Sequence, residues 1–319
     1  MSAFIDTHRA QFGVEPTCEA LDVSASAYYE RATGVCSERR AADDELLPAI
    51  REVHAANYEA YGYRRTWKAM LRGGYDLPRC TVQRLMATEG IRGAKRRGKP
   101  WRTTKPDPQG SGVQDLVDRD FTADRPNRLW VTDLTYLRCW EGLLFFAFVI
   151  DVFSRMVVGW QLAAHMRTDL VLDALRMALS MRDHGADVAL VHHSDHGSQY
   201  TSAEYAQTLE DHAVLASLGS TGDCYDNALA ESFVDSYKTE LIADRVWRTR
   251  SQVELATARW VGWFNNERLH SSLGDIPPGE FEQLHCFRQE AVVLPSPVPG
   301  SGDRDTLSCQ PTTVVVPAV

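Results

Sequence analysis

The segment 129–163 limits most strongly the folds that this chain of 319 residues can adopt. It holds three consecutive stretches rich in β-branched, aliphatic and aromatic residues, at 129–137, 143–153 and 156–163. Two short breaks, at Trp140-Glu141-Gly142 and at Ser154-Arg155, separate these stretches. Apolar runs of this kind between turn residues predict three sequential β-strands joined by tight connections.

Helical and strand-like patterns alternate after this point. Thr168 is placed to cap a helix that carries Leu172, Leu175 and Leu179 on one face. The pattern then predicts a buried strand at 188–191, a helix at 202–212, a short strand at 214–217, and helices at 226–242 and 251–266. Three meandering strands followed by alternating helices and strands indicate a mixed α/β sheet.

Three acidic residues lie inside or directly beside predicted strands and helices. Asp133 lies inside the apolar strand Leu-Trp-Val-Thr-Asp-Leu-Thr-Tyr, where a carboxylate is costly unless it is paired, protonated or bound to metal. Asp195 directly follows a buried strand, and Glu231 lies on a predicted helix. Each acid alone is explained by a cap, a turn or a surface charge. Together they offer the hard oxygen ligands that Mg²⁺ prefers.

The motifs around these acids resemble those of a known superfamily. They are Trp-x-Thr-Asp-Leu-Thr-Tyr at 130–136, Asp-Val-Phe-Ser-Arg at 151–155, His-Ser-Asp-His-Gly-Ser-Gln-Tyr at 193–200, Asp-Asn-Ala-x-Ala-Glu-Ser-Phe at 226–233 and Phe-Asn-Asn-Glu-Arg-Leu-His at 264–270. This series resembles the catalytic core of DDE transposases and retroviral integrases, and within them the IS-three type insertion-sequence transposase. The 35 residues between Asp195 and Glu231 match the interval of that family.

The resemblance implies an RNase H-like fold, a five-stranded mixed sheet flanked by helices and preceded by a small all-α helix-turn-helix region. It makes Asp133, Asp195 and Glu231 the catalytic, metal-binding triad, holding two Mg²⁺ ions or Mn²⁺ in their place. The implied activity is cleavage at the 3′ ends of an insertion sequence and strand transfer into DNA. The implied partners are the terminal inverted repeats, the target DNA, further copies of the chain on paired ends, and a fused or assisting upstream-reading-frame product.

The charge of the chain is distributed very unevenly. A net charge of −9 and a pI near 5.6 argue against nucleic acid as a partner when taken alone. Residues 61–105, however, contain 13 Lys and Arg against two acids, a local charge of +11. Two short amphipathic patterns in this stretch, separated by Gly73-Gly74 and Pro78, favour a helix-turn-helix. The basic segment therefore predicts DNA binding.

We divide the chain into five parts on these grounds. They are an N-terminal helical segment (1–40), a helix-turn-helix DNA-binding region (41–97), a basic linker (98–126), an integrase core with C-terminal helices (127–284) and a disordered tail (285–319). The candidate DNA-binding residues are Arg64, Arg65, Lys95, Arg96, Arg97, Ser198, Gln199, Asn227 and Lys238. We expect Asp151 and Arg155 to form a structural turn or an ion pair, and Trp130 to belong to the core.

Two alternatives explain part of the pattern. His192, His193, Asp195 and His196 suggest a zinc hydrolase, but adjacent residues of a strand point to opposite faces of the sheet. A non-catalytic helix-turn-helix regulator explains the basic segment but not the three carboxylates. The sequence contains no signal-peptide pattern, no apolar run long enough to span a bilayer and no Cys-x-x-Cys pair. We therefore expect a cytoplasmic, nucleoid-associated protein without disulfides.

Overall fold

The computed structural model describes residues 1–32, 38–95, 115–118, 120–182, 189–219 and 228–293. In these ranges the helices are α1 (Ser2–Phe12), α2 (Val14–Ala20), α3 (Ala25–Ala32), α4 (Glu38–Ala56), α5 (Tyr63–Arg72), α6 (Arg79–Thr88), α7 (Thr168–Met181), α8 (Ala203–Asp211), α9 (Ala228–Tyr237), α10 (Arg250–Asn266) and α11 (Pro278–Val293). The strands are β1 (Leu129–Cys139), β2 (Gly142–Asp151), β3 (Val157–Ala163), β4 (Val191–Ser194) and β5 (Leu215–Leu218). None of the described helices is long and apolar enough to cross a membrane.

The first six helices form two small packing units. Helices α1 to α3 pack around the buried Ile5, Cys18 and Tyr28. Helices α4 to α6 enclose a second apolar cluster that includes Ile50 and Met70. The second unit has the helix-turn-helix arrangement that the sequence predicts.

The helix-turn-helix unit is attached to the rest of the molecule by buried contacts. The Tyr61 hydroxyl accepts a hydrogen bond from the backbone N–H of Leu269 at 2.7 Å. The indole N–H of Trp263 donates to the side-chain oxygen of Asn57 at 3.2 Å. Tyr61 and Trp263 both belong to the largest hydrophobic core of the described residues. The unit is therefore anchored through the segment that leads into α5.

The five strands form one mixed sheet in the order β3-β2-β1-β4-β5. Strands β1, β2 and β3 pair antiparallel, whereas β4 and β5 are parallel to β1. Helices α7 and α8 cover one face, where Trp130 is fully buried as predicted. Helices α9 and α10 cover the other face around Phe146, Phe148 and Trp260. The predicted RNase H-like arrangement is confirmed, with helices on both faces of a five-stranded sheet.

Some boundaries differ from the sequence prediction. Strand β4 runs over Val191–Ser194 instead of 188–191. Its two histidines are buried because the Tyr205 hydroxyl and the Ser217 hydroxyl supply hydrogen-bond partners, and an apolar pattern does not reveal such partners. Thr168 is the first residue of α7 and makes no side-chain cap, because Arg167 occupies the extended position before the helix.

The helix predicted for 226–242 is also interrupted. Helix α9 ends at Tyr237, and a π-helical turn over Lys238–Ile242 follows it directly. A π-turn contains one extra residue per turn, and here Glu240 and Leu241 are both buried. Helix α11 extends to Val293, past residue 284, at which we end the catalytic core. Most of the assigned linker and the chain beyond 293 lie outside the described residues.

Candidate active site

Asp133 lies on the face of the sheet that α9 and α10 cover. It pairs across the sheet with Phe148 of β2, whose ring packs 4.5 Å from that of Phe233 on α9. Its carboxylate accepts a hydrogen bond from the Leu134 N–H at 2.7 Å. Because paired residues in a sheet point to the same side, the Asp133 side chain lies under α9.

Asp195 is placed beside Asp133 by the register of the parallel strands. Trp130 of β1 is opposite His192 of β4, and Val131 is opposite His193. Continuing two residues along both strands brings Asp133 opposite Asp195, on the same face of the sheet. The Asp195 carboxylate accepts the backbone N–H of Gly197 at 3.1 Å, which orders the turn after β4.

Glu231 completes the group from the first turn of α9, which packs against β1. Burial is the main cause that raises the pKa of Asp133 to about 7, and the negative charges of Asp195 and Glu231 raise it further. The Leu134 hydrogen bond and the Lys238 ammonium act in the opposite direction. The three predicted carboxylates thus form one electrostatic cluster, although Glu231 itself is exposed.

The donor set of this cluster suits a hard divalent cation. It consists of carboxylate oxygens whose mutual repulsion a bound cation would relieve. Among the described residues, no three His, Cys, Asp or Glu side chains already surround a common point at ligand distance.

Lys238 faces this cluster. Its ammonium lies 5.2 Å from the centre of the Tyr136 ring on β1. Burial lowers the pKa of Lys238, while the charges of Asp133 and Asp235 oppose that shift. Lys238 is therefore a partly buried cation next to the carboxylates rather than a solvated lysine on a helix surface.

The remaining candidate residues occupy different surroundings. Ser198 is exposed in the turn after Asp195, and the Gln199 amide donates to the Met166 carbonyl at 3.2 Å. Arg64 and Lys95 are exposed, whereas Arg65 points toward the catalytic region and lies 3.9 Å from Glu240. Arg96, Arg97 and Asn227 lie outside the described residues.

The histidines do not form a zinc site with Asp195. The His192 ring contacts Tyr205 of α8 on one face of the sheet, and burial lowers its pKa to about 3. His193 lies on the other face and shares a hydrogen bond of 3.0 Å with Ser217. The zinc hydrolase alternative fails because the two histidines diverge across the sheet.

Sequence reasoning missed Tyr200. Its side chain is buried, and burial followed by the charges of Asp195 and Asp133 raises its pKa well above the ordinary value. The hydroxyl therefore lies near both carboxylates. The available signal was its position at the end of the motif that begins with His193.

Family comparisons agree with this geometry over most of the chain. The HTH-like domain family matches residues 41–99, and two integrase core domain families match residues 123–224 and 212–278. These matches, the mixed sheet and its cluster of carboxylates define an integrase-core protein that carries a helix-turn-helix.

Whole-length relatives identify the family within this class. The chain is 44% identical over 290 residues to the transposase for insertion sequence element IS629 of Shigella sonnei, covering 89% of this chain and 96% of that protein. It is 34% identical over 288 residues to transposase InsF of Escherichia coli K12, covering 88% of this chain and 97% of that protein. The chain belongs to the IS3-family insertion-sequence transposases.

One solved structure is similar to part of this chain. The HTLV-2 integrase catalytic core in complex with magnesium aligns with 50% of this chain and 98% of that chain, at 15% identity and a TM-score of 0.37.

Proposed function

We propose that this transposase cleaves the 3′ ends of its insertion sequence and joins them to target DNA, with Asp133, Asp195 and Glu231 as its catalytic residues. The observation that carries the proposal is the convergence of these three carboxylates on one electrostatic cluster between the central strand β1, the end of β4 and α9. The domain boundaries that we assign from the sequence place the cluster in the catalytic core, 127–284.

The same three carboxylates are proposed to hold two Mg²⁺ ions, or Mn²⁺ in their place. When bound, such ions activate the attacking water or 3′-hydroxyl and stabilise the leaving oxygen of the phosphodiester. The side chains themselves fix where the DNA must lie. Lys238 is placed to contact a phosphate beside the carboxylates, and Ser198, Gln199 and Asn227 are proposed to position the strand.

We assign end recognition to the helix-turn-helix region, 41–97, and to the basic linker, 98–126. The residues proposed to contact DNA phosphates there are Arg64, Arg65, Lys95, Arg96 and Arg97. Further copies of the chain on paired ends and an upstream-reading-frame product complete the proposed assembly. We expect it to act on chromosomal DNA in the cytoplasm.

Strand transfer by the purified full-length protein tests the catalytic assignment. The substrate is a labelled duplex that carries a terminal inverted repeat from the DNA flanking the gene, and the reaction contains Mg²⁺ or Mn²⁺. We expect Asp133→Asn, Asp195→Asn and Glu231→Gln each to reduce joining at least about 100-fold and to retain DNA binding.

The matched control is Asp211→Asn, at an exposed carboxylate of α8 that accepts a hydrogen bond from Gln207 at 2.9 Å. This variant should join DNA as the unsubstituted protein does. Normal joining by the triad variants would refute the assignment. Binding without joining by the unsubstituted protein would favour the non-catalytic regulator.

A further inference from the structure

A second polar site lies on another side of α9. It is a cavity of about 460 Å³ between the helix-turn-helix unit and the catalytic region. Its polar walls come from α5, from the turn between β2 and β3, from α9 and its π-turn, and from the segment after α10. The charged and histidine side chains that line it are Arg65, Arg155, Asp235, Glu240, Arg268 and His270.

Arg155 is the distinctive group in this cavity. It occupies the tight turn after β2 with a φ of 65°. Its backbone N–H donates a hydrogen bond to the Asp151 carbonyl at 2.8 Å. The Asp151 carboxylate accepts hydrogen bonds from the backbone N–H groups of Asn127 and Phe153, at 2.7 and 2.9 Å. The predicted turn is present, but the predicted ion pair is not. Within the part of the chain that the structure describes, the Arg155 guanidinium forms no hydrogen bond or ion pair at contact distance, although the Asp151 charge partly opposes the lowering of its pKa by burial.

The other two arginines share one carboxylate. Arg268 is buried and donates to both oxygens of Glu240, at 2.6 and 3.0 Å, while Arg65 lies 3.9 Å from the same carboxylate. Asp235, on the same wall, attracts Lys238. Three guanidinium groups and two carboxylates line the cavity, and the buried Asp151 carboxylate, which does not line it, offsets part of this positive excess. Consistent with this, burial and then the charges of Arg268 and Arg65 lower the pKa of His270 to about 2.

The cavity is adjacent to the catalytic cluster without sharing its residues. Ser232 and Ser236 face it from α9, one turn apart. Glu231 and Lys238 are seven residues apart and lie on the neighbouring side of the same helix. The cavity and the carboxylates therefore lie on neighbouring sides of α9.

We propose that this cavity is a phosphate pocket that binds a phosphodiester group of the DNA backbone, with Arg155 as its main ligand. The inference rests on the proposed function, because it assumes that DNA is bound across α9. The Asp151 charge reaches Arg155 without a hydrogen bond, whereas a phosphate can accept two hydrogen bonds from an Arg guanidinium. The pocket joins the helix-turn-helix unit to the catalytic region, so one phosphate there fixes the position of DNA relative to both.

Arg155→Asn in the full-length protein tests the pocket, because Asn tolerates the left-handed backbone while removing the guanidinium. Binding is measured by fluorescence anisotropy in the absence of divalent metal, on the same terminal-repeat duplex that the strand-transfer assay uses. We expect about five- to tenfold weaker binding near 0.1 M salt and a salt slope smaller by about one. The control, Arg176→Asn, removes an exposed arginine from α7 on the opposite face of the sheet and should change neither value.

A second pair of variants leaves Arg155 and its turn unchanged. Ser272→Asp adds a negative charge at an exposed position of the cavity wall and should weaken binding to a similar extent. Ser180→Asp adds the same charge at an exposed position of α7 and should not. Unchanged affinity and salt slope in both Arg155→Asn and Ser272→Asp would overturn the proposal. A titration with inorganic phosphate separates the two sources of the anion. Phosphate binding that Arg155→Asn abolishes without weakening DNA binding would mean a small-anion site and would also overturn it.

The two proposals fail in different ways. If the unsubstituted protein joins strands while both pocket variants bind DNA normally, the pocket is wrong and the catalytic assignment stands. If the triad variants join strands normally while both pocket variants bind DNA weakly, the catalytic assignment is wrong and the pocket stands.

Discussion

The side chain of Asp133 lies within strand β1, beneath α9, where burial and the charges of Asp195 and Glu231 raise its pKa to about 7. An ionised carboxylate in such a place opposes folding unless a cation or a proton neutralises it. The same arrangement makes the residue useful, because oxygen ligands that repel one another attract a divalent cation. At the scale of the single residue, stability and the proposed activity therefore have opposite requirements.

The first prediction concerns stability and its dependence on pH. Because the pKa of Asp133 is raised in the folded state, its penalty is absent below pH about 4, grows as pH rises, and is complete above about 7. In EDTA at pH 8, Asp133→Asn should increase the free energy of unfolding by about 1–2 kcal/mol, or roughly 2–8 °C in Tm. The gain should be smaller at pH 5.

Thermal unfolding at the two pH values measures this effect. Adding Mg²⁺ at pH 8 should stabilise the unsubstituted protein more than the Asp133→Asn variant. A variant that unfolds at a lower temperature than the unsubstituted protein in EDTA at pH 8 would contradict this account of Asp133.

At the scale of the elements, the π-turn after α9 depends on a buried ion pair. Glu240 and Arg268 are 7% and 4% exposed, and Arg268 also stacks 5.2 Å from the centre of the Phe264 ring. The pair connects the end of the helix that carries Glu231 to the segment after α10. Removing one partner leaves the other charge buried without compensation.

The second prediction compares this pair with an exposed one. Glu240→Gln should lower the free energy of unfolding by about 3 kcal/mol, because the Arg268 charge stays buried. Glu254→Gln removes a carboxylate 3.8 Å from Arg250 on the exposed side of α10, and it should change stability by less than about 0.5 kcal/mol. Urea unfolding of both variants measures the difference. Equal effects of the two substitutions would show that the buried pair contributes no more than a surface pair.

The elements also show how far the sequence determines the fold. The apolar runs predicted β1, β2 and β3 nearly to their ends, because local strand patterns and turn residues coincide there. The position of β4 was wrong by three residues, because its histidines are buried by distant hydrogen-bond partners. The π-turn was missed since Glu240 and its partner Arg268 are 28 residues apart in sequence.

The sequence predicted the three carboxylates of the candidate site but not all of the groups that surround them. The triad residues were named from motifs, and the parallel register of β1 and β4 explains why Asp133 and Asp195 meet. The pocket around Arg155 could not be found from sequence, because it depends on packing between separate segments, whereas Tyr200 had a sequence signal only in its position at the end of the motif 193–200. The prediction that Arg65 binds DNA stays a prediction, and its proximity to Glu240 on the π-turn could not be read from the sequence.

At the scale of the whole molecule, the helix-turn-helix unit and the catalytic region share one buried interface. Besides Tyr61 and Trp263, it includes the ion pairs Lys68–Asp275, at 3.4 Å, and Arg72–Glu280, at 2.5 Å. These pairs use basic residues of the +11 segment within the protein, so only part of that charge remains for DNA. The region to which we assign end recognition and the region to which we assign catalysis are therefore connected through a packed interface.

We propose above all that Asp133, Asp195 and Glu231 hold the metal ions required for strand transfer. A change in the metal preference of the reaction tests this proposal most directly. In Asp195→Cys, a thiolate replaces the carboxylate, and softer ligands disfavour Mg²⁺ relative to Mn²⁺. Strand transfer by this full-length variant should be lost in Mg²⁺ and partly restored in Mn²⁺, while Asp211→Cys should join DNA in both. Normal joining by Asp195→Cys in Mg²⁺ would contradict the assignment of Asp195 as a metal ligand.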